Sequence, residues 1–97
     1  MADIEVTRAG ETDLAWTFDV TVREAAGHST HRMTVTRADL ADLRGEGADP
    51  ERFVRDCFEF LLAREPKESI MSRFDVRDIA RYFPEFRERI SSAEDTA

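Results

Sequence analysis

Phe58 to Phe86, FEFLLAREPKESIMSRFDVRDIARYFPEF, decides how the C-terminal half of this chain is built. The stretch holds two of the three prolines, the single lysine (Lys67) and many of the large apolar side chains. Its first residues continue a helix that Asp49-Pro50 opens, with Asp as N-cap and Pro at the first helical position. Along that helix Phe53, Val54, Cys57, Phe58, Phe60, Leu61 and Leu62 spread over roughly 200° of the helical wheel. Arg52, Arg55, Asp56, Glu59 and Ala63 are left as a narrow strip. An apolar arc that wide predicts packing on two sides, with a sheet on one and the C-terminal helix or a second subunit on the other. Pro66 ends the helix and is expected to open the next, in which Ile70, Met71 and Phe74 are the apolar positions. Asp75 then caps a final helix, with Asp78 in its first turn, where the helix dipole favours acids. Ile79, Phe83, Phe86 and Ile90 follow as one stripe. Pro84 interrupts it and predicts a kink or restart near Phe83. Ser91 to Ala97 is polar and is expected to fray.

Upstream, the pattern is that of strands. Leu14, Trp16, Phe18, Val20 and Val22 alternate with Ala15, Thr17, Asp19, Thr21 and Arg23, the period of a half-buried strand. His31, Met33 and Val35 alternate in the same way with Thr30, Arg32, Thr34 and Thr36. A two- or four-residue loop around Ala26-Gly27 pairs Val22 with His31, Val20 with Met33 and Phe18 with Val35, and so puts both apolar sets on one face. The other face, rich in threonine and charge, is expected to stay uncovered. Ile4 and Val6 suggest a short first strand, followed by a polar turn from Arg8 to Asp13. Thr36 is placed to cap a short helix containing Leu40 and Leu43, ended by Gly45 and Gly47. The expected fold is α+β: an antiparallel meander of about three strands with one face covered by two or three C-terminal helices. Residues 1–97 then form a single domain, mainly strands to residue 36, mainly helices over 37–91, with a frayed tail over 92–97.

Composition narrows the function. A chain of 97 residues can bury a core without metals or disulfides. The net charge of -7 repels polyanions at long range and argues against nucleic acid as a partner, leaving basic or neutral partners favoured. One cysteine, Cys57, excludes an internal disulfide and a Cys-based zinc site. It falls in the apolar arc of its helix, as a core residue would. No signal-peptide pattern occurs, and no apolar run reaches the roughly 20 residues that span a bilayer. These features point to a cytoplasmic protein with no membrane partner.

Reaction-specific patterns are absent, including glycine-rich phosphate loops, Gly-x-Ser-x-Gly elbows and His-Glu-x-x-His. His28 and His31 lie three residues apart, on opposite faces of a strand, with no third ligand beside them. The reading is therefore His28 in a turn and His31 at a sheet end, with no metal or other cofactor implied. Arg77 and Arg81 share a helix face with Glu85 and Glu88, a mixed-charge surface that an acidic partner or nucleic acid would have to use.

The most distinctive polar cluster is Arg64, Glu65, Pro66, Lys67, Glu68 and Ser69, a charged knuckle between helices. As a site, it would bind a partner or an anion through Arg64, Glu65, Lys67, Glu68 and Ser69, with Tyr82 contributing its hydroxyl. As structure alone, Pro66 breaks the helix, Glu68 complements a helix dipole, and Arg64 and Lys67 are solvated. The segment resembles a small family of uncharacterised bacterial proteins that carry FLLxREPKESIxxxF followed by Asp and IxxYFPE-aromatic. The matching positions here run from Phe60 through Ser69 and Ile70 to Phe74, then Asp75, Ile79 and Tyr82 to Phe86. The resemblance implies one small domain and brings no activity, cofactor or catalytic residue.

The functional expectation is a non-enzymatic module acting through protein contacts, with open sheet edges that offer a route to a homodimer. The rivals are a small enzyme or metabolite-binding protein with Glu65, Lys67, Ser69 and Tyr82 around a pocket, and a nucleic-acid-associated regulator.

Overall fold

The computed structural model describes residues 2–92, and the residues 93–97 of the expected frayed tail lie outside it. The order of elements is β1 (Asp3–Glu11), β2 (Ala15–Glu24), β3 (Gly27–Thr36), α1 (Arg37–Arg44), α2 (Pro50–Leu62), a 3-10 turn (Lys67–Ser69), β4 (Arg73–Asp75), α3 (Val76–Tyr82) and α4 (Phe86–Ser92). The strands form one four-stranded sheet in sequence order. The first three are antiparallel, and β4 runs parallel to β3. The fold is α+β, with helices on one face.

Alternation places Trp16, Phe18, Val20, Val22, His31, Met33 and Val35 inward, and all are buried. None of the alternate residues from Thr17 to Arg23 or from Thr30 to Thr36 is buried, so the second face is open as expected. On this covered face the helices add Leu40, Leu43, Phe53, Phe58, Ile79, Phe86 and Ile90 to the same hydrophobic cluster. α2 packs on β1 and β2, α1 on β3, and α4 on α1 and α2. Helix α2 therefore has neighbours on two sides, as its wide apolar arc requires. Within the core, the Cys57 side chain is fully buried, and burial pushes its thiol pKa well above the ordinary value. A second link joins the helices. The Arg44 side chain is buried and donates to Asp56 at 2.9 Å and to the Ile90 carbonyl at 2.7 Å, tying α1 to α2 and α4.

Local signals hold in detail. The Thr36 hydroxyl accepts from the Asp39 N–H, and Asp49 accepts from the N–H groups of Glu51 and Arg52. Asp75 and Asp78 form a reciprocal capping box at the start of α3. The chain does restart at Pro84: α3 stops at Tyr82, and α4 begins at Phe86.

Four expectations need correction. The hairpin turns at Ala25-Ala26, so the pairs are Val20–His31, Phe18–Met33 and Trp16–Val35. The register is two residues from the expected one because Gly27 (φ 136°) supplies the left-handed backbone just after the turn, not within it. Parity survives, and so does the inward face. Second, β1 continues through Arg8 to Glu11 with an irregularity between Arg8 and Gly10. An edge strand is held by backbone pairing and needs no strict alternation. Arg8 is also fastened to Glu51 of α2 and to Glu11. Third, Leu14 is 78% exposed, because Thr12 Oγ1 accepts from the N–H groups of Leu14 and Ala15 and the chain turns there before the strand begins. Fourth, no helix opens at Pro66. A 3-10 turn leads into β4, whose approach is set when the Arg32 N–H donates to the Ser72 carbonyl at 2.7 Å.

Candidate functional site at the Arg64–Ser69 knuckle

At the end of α2 the N–H groups of Arg64 and Glu65 both donate to the Leu61 carbonyl, tightening the last turn. Pro66 then sets the chain into the short 3-10 turn, closed when the Ser69 N–H donates to the Pro66 carbonyl at 2.9 Å. This tight geometry sends consecutive side chains in different directions.

Two knuckle cations are engaged within the molecule, contrary to the expectation of solvated side chains. The Arg64 guanidinium lies 3.6 Å from the Phe60 ring centroid, donates to the Phe60 carbonyl and pairs with Glu85 at 3.0 Å. Lys67 is 5% exposed and meets Glu68 at 2.7 Å and Glu24 at 3.0 Å. Hydrogen bonds that Lys67 donates to Glu68 and then to Glu24 raise the Lys67 pKa, and the bond accepted from Lys67 lowers that of Glu68. Glu24 lies at the end of β2, so the lysine clamps the knuckle to the sheet. No sequence pattern marks that long-range pair.

Glu65, Ser69 and Tyr82 are brought together, around a groove of about 350 Å³ whose remaining walls are apolar. Leu61 comes from α2, Ile70 and Met71 from the segment after the 3-10 turn, Phe74 from β4, and Ile79 and Phe83 from the end of the chain. Arg64, Lys67 and Glu68 do not line it. At the rim Met71 is 39% exposed and Tyr82 63%, large side chains held open to solvent beside buried neighbours. Glu65 is the one charged residue of the lining, and among the described residues its carboxylate has no ion pair.

The wall carrying Met71 is held by His31. This residue is buried within β3, not at a sheet end, because Phe58 covers its ring at 5.3 Å and β4 extends the sheet beyond it. Its Nδ1 lies 2.8 Å from the Met71 carbonyl and its Nε2 2.8 Å from Ser29 Oγ. A carbonyl only accepts, so Nδ1 carries a proton, and in the neutral ring Nε2 accepts a hydrogen bond from the Ser29 hydroxyl. His28 is exposed on the opposite face.

Sequence reasoning assigned Ile70, Met71 and Phe74 to a helix core and so overlooked their groove. The spacing from Pro66 to the Asp75 cap gave no warning, since α3 and α4 are helices of seven residues each. Among the described residues, no helix is long and apolar enough to cross a membrane. Comparison of the chain with protein-family models, with curated proteins and with solved structures finds no match. The family resemblance therefore rests on the motif positions between Phe60 and Phe86 alone.

Proposed function

We propose that this protein is a non-enzymatic binding module that takes an apolar side chain of a protein partner into the groove between α2, β4 and α3. The observation that carries the reading is the open apolar rim. Met71 and Tyr82 stay exposed above buried Ile70, Phe74 and Ile79, an arrangement suited to an anchor residue surrounded by contacts that exclude water. The three convergent polar groups, Glu65, Ser69 and Tyr82, offer orientation and no paired acid and base. A homodimer through the sheet edge draws less support. Arg55 of α2 donates to the Ile4 carbonyl at 2.7 Å and so occupies part of the β1 border.

The test is capture from native lysate by wild type, Met71→Glu, Tyr82→Glu and Leu14→Glu, each first shown to be folded. A partner held by wild type and Leu14→Glu, lost from both groove variants, and then rebound as a pure protein is the expected result. Equal capture by all four would remove the groove from consideration. A second reading, a small-molecule site, draws on the groove volume of about 350 Å³, at the lower end of ligand pockets. Ligand-observed NMR against pooled metabolites tests it, and a hit displaced by the protein partner would merge the two readings.

A further inference from the structure

We infer that the groove selects an apolar anchor that stands next to a lysine or arginine; the inference rests on the docking reading above and names its partner chemistry. The knuckle presents three cation-anion opportunities and satisfies two of them internally. Arg64 is held by Glu85, and Lys67 by Glu24 and Glu68. Glu65 is left with no ion pair among the described residues, half-buried at the groove, where apolar walls reduce the screening of its charge. Tyr82 adds an aromatic ring, 63% exposed, which attracts cations over its face. Ser69 adds a hydroxyl that accepts a hydrogen bond.

A guanidinium or ammonium at the mouth therefore finds a carboxylate, a ring face and a hydroxyl, while the apolar walls take the neighbouring side chain. The net charge of -7 draws a basic segment toward the molecule and repels an acidic one. Charge also decides against a second copy as the occupant. Among the described residues the most exposed large apolar side chain is Leu14, and its neighbour Asp13 would bring a carboxylate to Glu65.

The experiment uses the isotope-labelled full chain and three N-acetylated dipeptide amides, Phe-Arg, Phe-Gln and Phe-Glu, titrated at millimolar concentration and followed by backbone amide shifts. The Phe-Arg amide should move the resonances of Leu61, Ser69 to Met71 and Ile79 to Phe83. It should bind about fivefold more tightly than Phe-Gln, the size expected of one partly exposed ion pair. Phe-Glu should bind weakest. Glu65→Gln should erase the preference, and Glu65→Lys should invert it in favour of Phe-Glu. Equal binding of all three amides at the groove would overturn the charge preference and leave the docking reading standing. No groove shifts with any of them would overturn the docking reading, and this inference with it.

Discussion

Between α1 and α2 the chain turns through residues 45–49 using partners close in sequence, whereas between α2 and β4 it turns through residues 63–72 using side chains whose partners lie across the molecule. In the first connection the Gly45 N–H donates to the Ala41 carbonyl, and Asp49 accepts from the next helix's own N–H groups. Gly45 also takes φ 96° and ψ 161°, backbone that other residues adopt only under strain. In the second connection Lys67 reaches Glu24, Arg64 reaches Glu85, and the Met71 and Ser72 carbonyls accept from the His31 ring and the Arg32 N–H. The first connection is a turn held by local contacts. The second is laced to the sheet and to the turn before α4, and that lacing borders a cleft that neither the helices nor the strands would make alone.

The largest effect is expected beneath the second connection. Phe58 is fully buried, with its ring 5.3 Å from His31 and 5.7 Å from Phe74. Phe58→Ala should lower unfolding free energy by about 3–5 kcal/mol, measured by urea denaturation. Hydrogen exchange should then quicken at residues 70–75 well before it does at 45–49. Equal loosening of both connections would break the contrast. A smaller effect compares one tether from each side. His31→Phe keeps an aromatic ring but strands the Met71 carbonyl, for about 1–3 kcal/mol. Asp49→Ala removes a helix cap for about 1 kcal/mol. Exchange should rise across residues 69–73 in the first variant and only in the first turn of α2 in the second.

The smallest effect is electrostatic. The Glu68 pKa is lowered by its bond to Lys67, and that of Glu85 by a backbone hydrogen bond and then by Arg64. A carboxyl lowered on folding contributes stability that is complete above its unfolded pKa, about 4.3, and is lost as pH falls through the folded value. Thermal midpoints should thus be level near neutrality and fall on acidification. Glu68→Gln and Glu85→Gln should each flatten the acid limb slightly. A limb unchanged in both variants would mean that the lacing carries no charge contribution.

The same contrast explains what was legible in the sequence. Caps at Thr36, Asp49 and Asp75, the break at Pro84 and the inward face of β2 and β3 are written in residues a few positions apart, and each was readable there. The hairpin register slipped by two because Gly27 tolerates positive φ wherever it falls near the turn, and alternation alone fixes parity without choosing among registers. β4 was missed because three residues carry no period. Their strand character comes from the edge that β3 offers at Arg32 to Thr34. The knuckle was conspicuous as a motif, yet its residues divide by direction. Glu65, Ser69 and Tyr82 reach the groove, while Lys67 and Arg64 are drawn away by Glu24 and Glu85, acids that adjacency in sequence does not single out.

Cys57 gives these contrasts a chemical clock. Its sulfur is the only one in the chain able to form a thiolate, and it lies under the side chains that join α2 to the sheet, with ionisation suppressed by burial. A thiolate-trapping reagent at neutral pH therefore reacts only through openings of the core, because the closed molecule gives no access and holds the thiol protonated. When reagent is concentrated enough for trapping to outpace reclosing, the labelling rate counts openings of the core directly.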